Sequence, residues 1–93
     1  MLRINCFVKV KDAAKRDEVI DNAKKLVAAT LANDKGCKGY DFFASTTRDD
    51  VFMFCETWES AEALDVHSHT EHFETLVGAI AKVSDVTIEQ MEK

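Results

Sequence analysis

The sequence predicts an α+β domain on a split βαβ pattern, ordered strand, helix, strand, strand, helix, strand. Two kinds of periodicity predict it. Apolar residues alternate at a period of two near both ends and in two central segments, and they recur at threes and fours in the stretches between. The 93 residues contain no proline and only three glycines, so little interrupts these runs, and a single domain spanning 1–93 is expected.

In the first segment Leu2, Ile4, Cys6, Val8 and Val10 share one parity, and Arg3, Asn5, Phe7 and Lys9 the other, which is the pattern of a strand. Only Phe7 interrupts the polar face. Asp12 is a suitable N-cap for a helix whose apolar face runs through Val19, Ile20, Ala23, Leu26, Val27, Thr30 and Leu31, opposite Lys15, Asp17, Lys24 and Lys25. That helix should end near Asn33 to Lys35. Gly36 can adopt the left-handed conformation that terminates a helix, and Lys35 suits the negative end of its dipole. A tight Gly-Cys-Lys-Gly connection follows.

Tyr40 to Ser45 and Val51 to Trp58 favour β structure, and the polar stretch Thr46 to Asp50 has the length of a hairpin loop. Val51, Met53 and Cys55 fall on one face of the second strand, and Phe52, Phe54 and Trp58 on the other, so neither face suits water. Helices can cover one face and a second copy of the chain the other. The aromatic run Phe42, Phe43, Phe52 and Phe54 reads as core and subunit interface. Ser60 can cap a short helix with Ala61, Ala63, Leu64 and Val66, and a kink near Ser68 to Thr70 separates it from one presenting Phe73, Leu76, Val77 and Ile80. Ser84 or Asp85 then opens a last strand through Met91.

The composition, 46% hydrophobic and 31% charged, is that of a folded chain, yet 93 residues bury only about 60 to 65% of the unfolded surface, which favours a partner chain. Seventeen acidic against twelve basic residues give a formal charge of −5, which disfavours nucleic acid and anionic membranes as partners. Met1 to Val10 lacks the basic-then-apolar pattern of a leader, and no run reaches the roughly 20 apolar residues of a membrane span, so a cytoplasmic location is expected. Cys6, Cys37 and Cys55 are odd in number and widely spaced, as free thiols in a reducing compartment would be.

Nucleotide-binding glycine loops, Cys-x-x-Cys pairs and Gly-x-Ser-x-Gly elbows are all missing. What remains is a histidine cluster at His67, His69 and His72, preceded by Glu56 and Trp58. A metal is not expected there. On a continuous helix His67 points about 160° from His69, so convergent ligands would need a sharp break in the backbone. Glu56 sits in an apolar strand, where burial raises a carboxyl pKa and a nearby histidine lowers it, so the two can form a proton-handling pair. Trp58 offers a flat wall and an N–H donor to an aromatic ligand. Tyr40 and Asn5 supply a phenol and an amide, groups that serve structure as readily as substrate.

At these residues the chain resembles the antibiotic biosynthesis monooxygenase family, especially its small bacterial quinol monooxygenase branch. Gly36-Cys37-Lys38-Gly39-Tyr40 is similar to that branch's turn into the second strand, and Glu56-Thr57-Trp58-Glu59-Ser60 to its Glu-x-Trp-x-Ser segment. His67-Ser68-His69-Thr70-Glu71-His72-Phe73 resembles its pair of histidines separated by four residues. The resemblance implies a ferredoxin-like fold, with an antiparallel sheet carrying helices on one face, that pairs as a homodimer into a dimeric α/β barrel. It further implies a cofactor-independent oxidation of a small quinol or related phenol by molecular oxygen, without flavin, haem or metal. Carried onto this chain, it makes His67 the base or oxyanion partner, Glu56 its orienting carboxylate and Trp58 the pocket wall, with Tyr40, His72 and Asn5 as further substrate contacts. Relatives of the same fold also degrade haem or isomerise phosphorylated signalling sugars, and others have no demonstrated catalysis. Haem degraders carry an axial histidine near the position of Val77 here, and no cationic cluster marks a phosphate site. The alternatives to an oxygenase are a non-catalytic dimeric small-ligand-binding protein and a sugar-phosphate isomerase.

Overall fold

The computed structural model describes residues 1–92. The alternating first segment forms strand β1 (Leu2–Val10), and its buried residues Leu2, Ile4, Val8 and Val10 all lie on the predicted apolar parity. Asp12 does cap, but it caps a short 3-10 turn, Ala13–Lys15, by accepting from the Ala14 N–H at 3.0 Å. Helix α1 (Arg16–Asn33) follows and buries Val19, Ala23, Leu26 and Thr30, spaced by fours and threes.

Strand β2 (Cys37–Ala44) begins three residues before the expected Tyr40, because the chain takes up strand pairing directly after Gly36. The register shifts between Cys37 and Gly39, so Lys38 is an extra residue in the ladder. Past that bulge Tyr40 stands opposite Glu56 of β3 (Val51–Trp58), and Glu56 in turn stands opposite Ile4 of β1. Ser60 caps α2 (Ala61–Ser68) by accepting from the Ala63 N–H. The expected kink is a full break. His69 closes α2, and Thr70 starts α3 (Glu71–Lys82) by accepting from the Phe73 N–H at 3.2 Å. Strand β4 (Ser84–Glu92) returns beside β1.

The result is a ferredoxin-like α+β fold with a four-stranded antiparallel sheet in the order β2-β3-β1-β4. Helices cover one face, against which Phe52, Phe54 and Trp58 are buried. One expectation is corrected: the sheet is not closed into an α/β barrel. Closure requires every strand to pair on both sides, whereas β2 and β4 each pair on one side only among the described residues and form open edges. No helix of the described residues is long and apolar enough to cross a membrane.

Candidate functional site

Between the sheet and helices α2 and α3 lies a cavity of about 400 Å³. Ile4, Phe54, Phe73, Val77 and Ile80 make its walls predominantly apolar. Tyr40, Glu56, Asp65, His67, Ser68 and Gln90 supply polar groups, and no lysine or arginine lines it among the described residues. The cavity reaches β4 through Val86 and Ile88, and Ile88 is 64% exposed although its parity is that of the covered face.

His67, in the last turn of α2, is 1% exposed. Its ring packs against Trp58 at 4.6 Å, Phe73 at 4.9 Å and Tyr40 at 5.4 Å between centroids. His67 Nδ1 lies 2.5 Å from Asp34 Oδ2, and the same oxygen lies 3.0 Å from His72 Nε2. A carboxylate oxygen only accepts, so Nδ1 carries the proton of the neutral His67 ring and Nε2 keeps its lone pair. That Nε2 is buried without a hydrogen-bond partner. Burial pushes the His67 pKa below its ordinary value, and the bond and charge of Asp34 only partly oppose this. The result is a neutral imidazole with an unpartnered acceptor in a predominantly apolar cavity wall.

The carboxylate that orients His67 is therefore Asp34, not Glu56. Asp34 is the C-cap of α1, a place where a negative charge faces the negative end of the helix dipole. That local conflict was the signal available in the sequence. The following turn holds Asp34 in place. Gly36 has φ of 83°, an added Cβ there would lie 2.6 Å from Ala63 Cβ, and the Gly36 carbonyl accepts from the Glu59 N–H at 2.7 Å. Gly36 thus ties the end of α1 to the start of α2, the two elements that bring Asp34 and His67 together.

Glu56 lines the same cavity and accepts from the Trp58 indole N–H at 2.9 Å. Burial raises its pKa to about 7, with the indole bond opposing the shift. Trp58 is fully buried behind this pair, so it positions Glu56 and the His67 ring and is not itself a wall of the cavity. Tyr40 does line the cavity, and burial first, then the Glu56 charge, push its phenol pKa up, so it stays protonated as a donor. Cys6 also borders the cavity, but burial pushes its thiol up to about 12, which removes it as a nucleophile. His72 supports the site through Asp34 and lies outside the lining, while His69 is exposed beside Asp65. Asn5 is not part of this site. Its parity places it on the other face of the sheet, where it donates to Glu89 at 3.0 Å.

With this geometry in hand, known proteins give a consistent picture. The family model described as antibiotic biosynthesis monooxygenase matches residues 1–79. A solved structure from Bacteroides thetaiotaomicron, described as a conserved protein of unknown function and possible oxidoreductase, is 43% identical. It has a TM-score of 0.94 over 99% of this chain and 96% of that one. A second, described as an antibiotic biosynthesis monooxygenase, is 29% identical with a TM-score of 0.88 over 100% of this chain and 98% of the other. An uncharacterised protein of Synechocystis sp. is 31% identical over 87% of this chain and 56% of its own length. The chain thus spans about half the length of that curated relative.

Proposed function

We propose, from the premise that this chain belongs to the antibiotic biosynthesis monooxygenase family, that it oxidises a small quinol or related phenol with molecular oxygen and no bound cofactor. One observation carries the reading: His67 combines an Nδ1–H fixed by Asp34 with an unpartnered Nε2, in the wall of an apolar cavity. Such a nitrogen suits removal of a phenolic proton. The resulting anion supplies electrons to oxygen, a C–O bond forms on the ring, and the O–O bond then breaks. One oxygen atom stays on the product, a hydroxyquinone, and the other leaves as water. Glu56, with its pKa near neutrality, can return a proton to the departing oxygen. Tyr40 can donate to a substrate oxygen, and the apolar walls confine the reactive intermediates.

The cavity size suits a one- or two-ring substrate. Among the described residues, two carboxyl groups, Glu56 and Asp65, and no cation line the cavity, which works against an anionic substrate and disfavours a sugar phosphate. A cytoplasmic location and a homodimer complete the proposal. The uncovered face of the sheet carries Phe7, Phe43 and Met53 in one row across three strands, with Phe7 and Phe43 38% and 49% exposed, and a second copy of this face would bury them.

Oxygen uptake with a panel of hydroquinones, without added metal or flavin, tests the activity. Wild type should exceed the uncatalysed rate, and His67→Ala should lose most of the roughly 100- to 10,000-fold contribution of a positioned base. Uptake at the background rate across the panel, together with saturable quenching of Trp58 fluorescence by the same compounds, would instead identify a ligand-binding protein.

A further inference from the structure

We infer that Asp34, His67 and His72 form a binding site for one divalent transition-metal ion, set behind the His67 ring and outside the cavity. The three side chains come from three elements: the C-cap of α1, the last turn of α2 and the first turn of α3. Their donor atoms, Asp34 Oδ2, His67 Nδ1 and His72 Nε2, all lie within 4.8 Å of one another. On a continuous helix His67 and His72 would point about 140° apart. The break at Thr70 removes that obstacle and turns both rings onto one carboxylate.

The local field favours a cation. The C-terminal ends of α1 and α2 meet here with partial negative charge, the N-terminal end of α3, which carries His72, brings partial positive charge, and the full charge of the Asp34 carboxylate decides the sign. Among the described residues, the side chains that meet the Asp34 carboxylate are the two imidazoles. Two imidazole nitrogens and one carboxylate oxygen suit zinc, cobalt or iron(II) better than magnesium or calcium, and three protein ligands leave room for water. In a tetrahedral zinc site donor atoms stand roughly 3.3 Å apart, so the two nitrogens must draw together around the ion while Asp34 Oδ2 moves back from His67 Nδ1, now 2.5 Å away. His72, with its side chain 20% exposed against 1% for His67 and 6% for Asp34, is the ligand free to move and the route of entry.

A metal on Nδ1 displaces the proton there, and the neutral ring then carries its proton on Nε2. Metal would therefore block the base. This consequence rests on the function proposed above, whereas the binding itself does not.

The test is a titration of the chelator-treated, desalted full chain with Co²⁺, read by visible absorption, and with Zn²⁺, read by Tm. Ligand-field bands of four- or five-coordinate cobalt should saturate at one equivalent, and Zn²⁺ should raise Tm. His72→Ala, with its fold checked by circular dichroism, should weaken binding by more than the roughly 10- to 100-fold lost with an outer partner. Asp34→Asn should do the same, and His69→Ala, which removes exposed contacts to Asp65 and Ser68 but none of the three ligands, should not. A spectrum of aqueous cobalt, or equal binding by wild type and His72→Ala, would overturn the inference and leave the three side chains a hydrogen-bonded network. Oxygen uptake is measured separately, so either failure is recognised on its own.

Discussion

Strand β3 shows two environments on one backbone. Phe52, Phe54, Glu56 and Trp58 face the helices and are buried, while Val51, Met53, Cys55 and Thr57 face the open side and are only half-buried. The covered side has the stacked Phe42 and Phe52 rings at 5.2 Å, the indole-to-carboxylate bond and the cavity. The open side has the row of Phe7, Met53 and Phe43 beside polar groups such as Asn5, which is bonded to Glu89 next to Cys55. A polar group on the covered side must be hydrogen-bonded or perturbed in its ionisation, whereas on the open side water can serve it. That is why Cys6, Tyr40, Glu56 and His67, whose proton affinities burial shifts, gather around the cavity.

Breaking the covered side should have the largest effect. Trp58→Ala removes a fully buried indole that holds Glu56 and contacts the His67 and Tyr40 rings, and it should cost about 3 to 5 kcal/mol in a denaturant titration.

A second comparison, Glu56→Gln against wild type, sharpens the electrostatic part. A carboxyl raised from 4.5 to about 7 binds more protons folded than unfolded between those values, so its contribution to stability is complete below about pH 4.5 and is lost as pH rises through 7. The variant removes that penalty and keeps an acceptor for Trp58. Its Tm should exceed that of wild type at pH 8, by the equivalent of up to roughly 3 kcal/mol, and converge with it near pH 4.5. In the oxygen assay the same variant should lose the alkaline limb near pH 7, since wild type needs a protonated Glu56, and should be slower throughout.

Asp34→Asn leaves the volume but removes the charge that fixes the tautomer of His67. It should lower kcat/KM about 10- to 100-fold, less than His67→Ala, with a smaller change in stability. On the open side, Phe7→Lys should shift Tm of the isolated chain least, within about 0.5 kcal/mol, because Phe7 is already exposed. Sedimentation should nevertheless show a homodimer in wild type and dissociation in this variant. A wild-type monomer at micromolar concentration would end the dimer proposal.

Much of the fold was legible along the chain because strand and helix periods are local properties. The parity of β1 and β3, the stop at Gly36 and the Ser60 cap all followed from side chains a few residues apart. The early start of β2 was not legible, since it depends on a bulge against β3. Nor was the open sheet: edges are defined by which strands lack neighbours, and a resemblance to relatives carries no such information about this chain.

The sequence by itself determined the order of elements, the face of each strand that meets the helices, and the residue types available for proton chemistry. Tertiary structure decided which of those residues act together. It paired His67 with Asp34, 33 positions away, put Glu56 on the Trp58 indole, and left Asn5 on the opposite face. The physical reason is that hydrogen bonding and desolvation act over a few ångströms of space regardless of separation along the chain, so a partner becomes visible only when the helix ends and the sheet are in place.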